Sequence, residues 1–100
     1  MGLALTIDKE GIAGFCRRWR VREFSLFGSV LRDDFNPESD VDVLVRFADD
    51  APWSLWDLVA MRSELVAMFG REVDLVELDA IRNPFRREAI LESREILYAA

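Results

Sequence analysis

The chain has 100 residues, of which 51% are hydrophobic and 32% are charged. This composition is ordinary for a globular protein, and the length predicts one compact domain over residues 1–100 with a small core. The net charge is −6, from 19 acidic and 13 basic residues. It argues against stable binding of free RNA or DNA, because an acidic surface repels their phosphates.

Two residue counts exclude further classes of protein. Histidine is absent, which excludes Ser–His and Cys–His catalysis and the usual zinc sites, so any metal must be a hard ion held by oxygen. Cys16 is the single cysteine, which excludes an intrachain disulfide, and its helical spacing predicts a core residue. The sequence has neither a signal-peptide pattern nor an apolar run long enough for a membrane, so we expect a cytoplasmic protein.

The first half of the chain alternates helical and strand patterns. Apolar residues recur at helical spacing over residues 8–19, where Thr6 or Asp8 is placed to cap the helix. Apolar runs and the turn residues between them predict the elements that follow, which are a strand at 22–27, a short helical turn at 29–34, a turn at 36–39 and a strand at 41–47.

The second half predicts helix, strand and helix. Ser54 and Asp57 form a capping box for a helix that ends at Phe69 before Gly70. The apolar residues assigned to one face of this helix are Leu55, Leu58, Val59, Leu65, Val66 and Phe69. A strand at 72–78 and a helix from Asn83-Pro84 to about Tyr98 complete the order α-β-α-β-α-β-α. This order predicts an α+β fold, an α/β sandwich in which helices pack on a small mixed β-sheet.

Two aspartates stand one residue apart at the start of the apolar strand 41–47. Side chains alternate across a strand, so Asp40 and Asp42 project on the same side and lie close enough to share a cation. Mg²⁺ is usually held by one or two carboxylates together with substrate phosphates, and this pair is such a half-site. Each aspartate also has a simple structural interpretation when it is considered alone. Asp40 fits a turn residue, and Asp42 fits a strand residue that faces solvent, and each of these is as well supported as metal binding.

A third aspartate, Asp74, lies inside the apolar strand 72–78. If that strand lies beside strand 41–47, Asp74 reaches the same ion. Three carboxylates then match a two-metal site for phosphoryl or nucleotidyl transfer. Glu77 projects from the opposite face and is left out of the site. The alternative is that Asp74 is solvated on an edge strand.

The step Gly28-Ser29 follows the first strand. Glycine lets the backbone approach a ligand closely, and Ser29 offers a hydroxyl and an amide where N–H groups attract phosphate. Arg32 lies one turn further on and is placed to neutralise the phosphate charge. A Gly-Ser step alone is a weak signal, but its combination with three strand aspartates strongly indicates a nucleotide site.

The spacing of Gly28-Ser29, ten residues and then Asp40-x-Asp42 resembles the signature of the DNA polymerase β-like nucleotidyltransferase superfamily. The chain is most similar to its minimal nucleotidyltransferases, the MntA-like antitoxins, through "LFGS", "SDVDVLV", "VDLVEL" and "NPFRREAILESREILYA". The resemblance implies the polymerase β-like fold, phosphate contacts from Gly28 and Ser29, and Mg²⁺ bound by Asp40 and Asp42. Asp74 would complete this site.

One segment departs from the family pattern. "GSVLRDD" keeps Arg32 but carries Leu31, and it has Asp33 where glycine is usual. Aspartate tolerates a left-handed backbone less well than glycine, and its charge is unhelpful near a triphosphate. The departure bears on turnover more than on the fold.

The resemblance also implies a partner and an activity. MntA-like antitoxins pair with HEPN-domain ribonuclease toxins, and their proposed action is transfer of AMP from ATP to a toxin tyrosine. We therefore expect a hetero-oligomer of this chain with a HEPN toxin. Two alternatives stay open: a non-catalytic antitoxin that masks the toxin by binding it, and adenylylation of a small molecule or an RNA end. The net charge disfavours RNA.

Clustered arginines and two tryptophans have open interpretations. The arginines at the start of the last helix are a solvated face, a docking patch for an acidic partner or a nucleotide contact: Arg82, Arg86 and Arg87. The arginines near the end of the first helix, where the helix dipole favours cations, more simply form a solvated face: Arg17, Arg18, Arg20 and Arg22. Trp53 and Trp56 are predicted core or staple residues, with partner contact or adenine stacking as alternatives.

Overall fold

The computed structural model describes residues 7–28 and 40–100, and it contains helices and strands in both segments. The described elements are α1 (Lys9–Arg18), β1 (Val21–Phe27), β2 (Val41–Phe47), α2 (Leu55–Phe69), β3 (Val73–Glu77), a 3₁₀ turn (Leu78–Ala80), α3 (Pro84–Ser93) and β4 (Glu95–Ala99). The predicted helical turn at 29–34 lies outside the described residues. Within the part of the chain that is described, no helix is both long and apolar enough to cross a membrane.

The described strands form one mixed sheet in the order β3-β2-β1-β4. β2 pairs with β3 in parallel, whereas β1 pairs antiparallel with both β2 and β4. The predicted α+β class is therefore confirmed, and the condition on which the role of Asp74 depends, a third strand beside the second, is met.

Helices α1 and α2 cover one face of the sheet, and a smaller cluster that includes a residue of α3 lies on the other. On the first face, the buried apolar residues of α1 and α2 pack against alternate strand residues: Ile12, Phe15, Cys16, Met61 and Leu65 against Phe24, Leu26, Val41, Val43, Val45 and Val73. On the second face, Phe27 and Leu44 pack against Leu78, Ile81 and Ile90. Burial raises the pKa of the Cys16 thiol to about 12. Cys16 is 1% exposed, which confirms the prediction that it is a core residue.

The helix ends follow the predicted capping chemistry. The Asp8 side chain accepts a hydrogen bond from the Gly11 backbone N–H at 2.9 Å, and Ser54 and Asp57 form a reciprocal capping box. Gly70 ends α2 in the left-handed region with φ of 69°. Asn83 caps α3 with Pro84 as its first residue.

The prediction that the last helix continues to about Tyr98 is wrong. α3 ends at Ser93, and residues 95–99 form β4, which pairs with β1 through Ser25 opposite Ile96 and Phe24 opposite Tyr98. The segment "REILYAA" has residues that suit either state, so tertiary pairing with the open edge of β1 decides it.

The predicted apolar face of α2 is also partly wrong. Met61 and Leu65 are buried against the sheet, but Leu55 is 73% exposed and Val59 is 50% exposed. Helical spacing assigns Leu55 and Val59 to the same face as Leu58, yet the helix turns this edge away from the core. The two tryptophans predicted to be core or staple residues also differ in burial. Trp53 packs on Trp19, as predicted, whereas Trp56 is 80% exposed and is not a core residue.

An ion-pair cluster links the junction of α3 and β4 to strands β1 and β2. Arg94, between α3 and β4, donates a hydrogen bond to Glu23 Oε1 at 2.8 Å, and Arg46 of β2 donates to Oε2 at 3.4 Å. The hydrogen bond from Arg94 is the main cause that lowers the pKa of Glu23. Because its folded pKa lies below the unfolded value, ionised Glu23 stabilises the fold at neutral pH, and this stabilisation is lost as the pH falls through the folded pKa.

We expect Glu23→Gln to lower the free energy of unfolding at pH 7 by about 1 kcal/mol, because a neutral amide replaces a charged acceptor. The variant should also lose less stability than the wild type when the pH falls from about 5 to 3, since the titrating carboxyl is gone. Urea unfolding at several pH values measures both effects. Glu92→Gln, an exposed site on α3, is the control. Parallel pH profiles for wild type and Glu23→Gln would contradict the assignment.

Candidate active site

The centre of the candidate site is Asp42, near the start of β2. Its register partner on β1 is Phe27, and its register partner on β3 is Asp74. Register partners on neighbouring strands project from the same face of a sheet, so Asp42 and Asp74 lie side by side on adjacent strands about 4.8 Å apart. The sequence predicts this pairing only conditionally, and the parallel β2–β3 register confirms it.

Asp40 lies one residue before β2 and is exposed. The neighbouring Val41 N–H already donates to the Glu72 carbonyl of the β3 side at 2.9 Å, so the extended pairing begins next to Asp40. Alternation from Asp42 carries Asp40 to the same side as the Asp42–Asp74 pair. Asp42 is half-buried, whereas Asp40 and Asp74 are exposed.

Gly28, directly after β1, lies against the Asp42 carboxylate. Its φ is +75°, and a Cβ added there would lie 2.2 Å from Asp42 Oδ2 and 3.2 Å from Asp42 Cγ. No side chain fits at that distance, and the left-handed backbone itself favours glycine. The sequence assigns Gly28 to close approach of a phosphate. The structure adds that the same missing side chain makes room for Asp42.

The carboxylates stand at the edge of the second, smaller cluster of apolar residues. Leu44 follows Asp42 by two residues, and Val76 follows Asp74 by two, so both project from the same face as the aspartates. The other buried members of this cluster are Phe27, Leu78, Ile81 and Ile90. Sequence reasoning did not identify this apolar floor. The parallel patterns Asp-Val-Leu and Asp-Leu-Val in the two strands are the signal that could have found it.

The donor set suits a hard cation only as a half-site. Within residues 7–28 and 40–100, no three Asp, Glu, His or Cys side chains converge into a group that could hold a metal ion. Adjacent Asp42 and Asp74 match the coordination preference of Mg²⁺, which binds one or two carboxylates and completes its coordination shell with phosphates and water. Ser29 and Arg32, the predicted phosphate contacts, lie outside the described residues, as does Asp33.

A recess of about 410 Å³ opens where β3 meets the start of α3. Exposed Arg82 and Arg86 line it together with Val76 and Ile81. The Asn83 side chain, also in the lining, is engaged in capping and accepts hydrogen bonds from Phe85 N and Arg86 N. The interpretation of these arginines as a docking patch or nucleotide contact stays a prediction.

The sequence profile of the nucleotidyltransferase domain family matches residues 9–97. The chain belongs to this family. The chain is also 35% identical over 81 residues to the protein adenylyltransferase MntA of Thermococcus cleftensis, covering 81% of this chain and 77% of that protein.

Solved structures agree with the nucleotidyltransferase assignment. A minimal nucleotidyltransferase is 30% identical and superposes with a TM-score of 0.71, covering 87% of this chain and 86% of that one. A toxin–antitoxin pair solved with AMP-PNP gives a TM-score of 0.75 at 20% identity, covering 94% of this chain and 75% of that one. The Shewanella oneidensis complex of an MNT antitoxin with its tri-AMPylated HEPN toxin gives 0.66 at 20% identity, covering 92% and 70%. At 20% identity, the last two structures show only that the fold is shared.

Proposed function

We propose that this nucleotidyltransferase transfers AMP from ATP to a tyrosine hydroxyl of a HEPN-domain toxin and thereby acts as its antitoxin. The observation that carries the proposal is the register of Asp42 opposite Asp74, with Gly28 leaving room for the Asp42 carboxylate. Two likenesses support it: a relative named as a protein adenylyltransferase, and a structural neighbour bound to a tri-AMPylated HEPN toxin.

The chemistry is an in-line displacement. The acceptor oxygen attacks the α-phosphorus of ATP, an ester bond to AMP forms, and the bond to pyrophosphate breaks as pyrophosphate leaves. Asp40 and Asp42 would hold Mg²⁺ together with the phosphates, and bound Mg²⁺ supplies neutralisation of the phosphate charge. Asp74, the exposed member of the pair, would orient the acceptor hydroxyl and take its proton. Gly28, Ser29 and Arg32 would contact phosphate.

The direct test is the intact mass of the HEPN protein encoded next to this chain, after incubation with this protein, ATP and Mg²⁺. We expect a gain of one or more AMP units, and fragment spectra that assign them to tyrosine. Chelation of Mg²⁺ with EDTA should abolish the gain, and renewed Mg²⁺ should restore it, because the carboxylates and the triphosphate are both anionic and repel each other without a cation between them.

An ATP analogue with a methylene group between the α- and β-phosphorus atoms is the matched control, since it binds like ATP but cannot release AMP. No gain in mass with ATP and Mg²⁺, in a complex that still inhibits the toxin, would contradict the proposal. That result would support the second candidate, an antitoxin that masks its toxin by binding. The exposed apolar residues on α2 favour this candidate, because they suit a stable complex.

A further inference from the structure

Three large apolar side chains on one edge of α2 have no place in the core. Trp56 is 80% exposed, Leu55 is 73% exposed and Val59 is 50% exposed. They are spaced as neighbours on the helix surface, and we call them the α2 stripe. The opposite side of α2 already supplies Met61 and Leu65 to the core, so the stripe is not required for folding. A contiguous exposed apolar patch of this kind marks an interaction surface.

The α2 stripe borders a groove of about 220 Å³ between α2 and β3. Leu55, Leu58, Val59 and Leu75 supply its apolar lining. Arg62 forms part of the wall, and its Nε donates to the Val73 carbonyl at 2.8 Å. The groove is therefore a formed depression beside the edge strand.

Acidic residues border the other end of the groove. Leu58 and Glu77 line both this groove and a second recess of about 220 Å³, which Asp49, Asp79 and Trp53 also line. We call Asp49, Glu77 and Asp79 the acidic rim. Among the described residues that line the two depressions, Arg62 is the one cation, and Glu72 pairs with it at 2.5 Å. The border is acidic on the side of Asp49 and Asp79, whereas Glu77 also lines the recess that holds Arg82 and Arg86.

The groove and the candidate active site share one strand. Asp74 and Leu75 are consecutive in β3, about 3.3 Å apart along the strand, and they project from opposite faces. β3 is an edge strand among the described strands. A protein seated in the groove therefore borders the strand that carries Asp74.

We propose that the α2 stripe, the groove and the acidic rim together form the docking surface for the acceptor protein, whose complementary patch has an apolar centre bordered by basic side chains. This inference rests on the proposed function: the surface lies on the opposite face of the sheet from Asp74, and an acceptor docked there would reach Asp74 around the edge strand β3. An exposed tryptophan beside an apolar groove with charges at its border has the anatomy of a protein interface.

Charge decides between this partner and a second copy of the chain. Each copy carries a net charge of −6 and the same acidic rim. A two-fold contact through this surface would bring like charges together, which opposes association. A basic partner instead gains from the same rim, through faster encounter and better complementarity.

The test compares two exposed aromatic residues. Trp56→Ser removes the largest side chain of the α2 stripe, and Phe85→Ser, 83% exposed on α3, removes an equally exposed ring elsewhere. The probe is the HEPN protein encoded next to this chain, titrated calorimetrically. We expect Trp56→Ser to raise Kd about 30-fold or more, as for a tryptophan hot spot, and Phe85→Ser to change Kd less than about threefold. Thermal unfolding should be nearly unchanged in both variants, since the rings are exposed.

A second variant tests the acidic rim. Charge reversal of Glu77 and Asp79 to lysine should slow association and weaken its salt dependence. In AMP transfer, Trp56→Ser should raise KM for the acceptor while leaving kcat unchanged.

The outcomes separate the two proposals. If AMP transfer occurs but Trp56→Ser binds as tightly as the wild type, the docking surface is wrong and the proposed function stands. If Trp56→Ser abolishes a tight complex in which no AMP is transferred, the docking surface stands and the transferase is wrong. Lack of any complex, an equal loss in Phe85→Ser, or a wild-type dimer in sedimentation that Trp56→Ser dissociates would each overturn the docking surface.

Discussion

Gly28→Ala is expected to lower the rate of AMP transfer about a hundredfold while leaving the protein folded. The new methyl group would lie 2.2 Å from Asp42 Oδ2, so either the carboxylate or the end of β1 must shift by about an ångström. A displacement of that size at a catalytic group costs about a hundredfold in rate. The backbone at φ of +75° adds strain of about 1–2 kcal/mol for an L side chain.

Gly70→Ala is the control that distinguishes backbone strain from displacement of the Asp42 carboxylate. Gly70 has nearly the same backbone, with φ of +69°, but an added Cβ meets nothing within 4 Å. It lies at the end of α2, away from the aspartates. We expect Gly70→Ala to lose similar stability and to keep its activity. Activity assays and urea unfolding on both variants check this. Equal activity in the two variants would show that Gly28 has no part in placing Asp42.

Local signals in the sequence were sufficient for the elements that frame the site. Asp8, Ser54 with Asp57, Gly70 and Asn83 mark helix ends through hydrogen bonds to neighbours within a few residues, so the sequence alone predicts them. The strand pattern around Asp42 is similarly local. The pairing of Asp42 with Asp74 needed one further step, namely that two strongly apolar strands joined by a helix run parallel and side by side.

The features that sequence reasoning missed are set by distant contacts. Residues 95–99 become β4 because β1 offers an open edge and Arg94 reaches Glu23, 71 positions away. Trp56 and Leu55 are exposed because α2 packs on the sheet through Met61 and Leu65 on its other side. The contact of Gly28 with Asp42 likewise depends on the antiparallel register of β1 and β2.

The site also explains why a close-packed glycine and a half-buried carboxylate occur together. Asp42 has the apolar cluster of Phe27 and Leu44 beside it, so its charge is partly withdrawn from water. A carboxylate in that position interacts more strongly with a cation than an exposed one does, because the local dielectric is lower. Asp74 is exposed, which suits contact with an incoming acceptor. The two neighbours are therefore suited to different tasks.

Asp42→Asn is expected to lower AMP transfer about a thousandfold and to leave the affinity for the HEPN protein unchanged. The substitution keeps the shape of the side chain beside Gly28 but removes the charge that would hold Mg²⁺, and loss of about 4 kcal/mol of metal-mediated charge stabilisation corresponds to that factor. Asp8→Asn is the matched control, since asparagine caps α1 as well as aspartate and the net charge changes equally.

The same pair of variants decides between catalysis and masking, because the docking surface lies on the face of the sheet opposite Asp42. Intact mass of the HEPN protein reports AMP transfer, calorimetry reports binding, and growth of cells that express both proteins reports antitoxic effect. If the protein is a transferase, Asp42→Asn loses the AMP adducts and the antitoxic effect together while still binding. If Asp42→Asn protects cells as well as wild type and Asp8→Asn do, neutralisation proceeds by binding alone, whatever the aspartates do in the test tube.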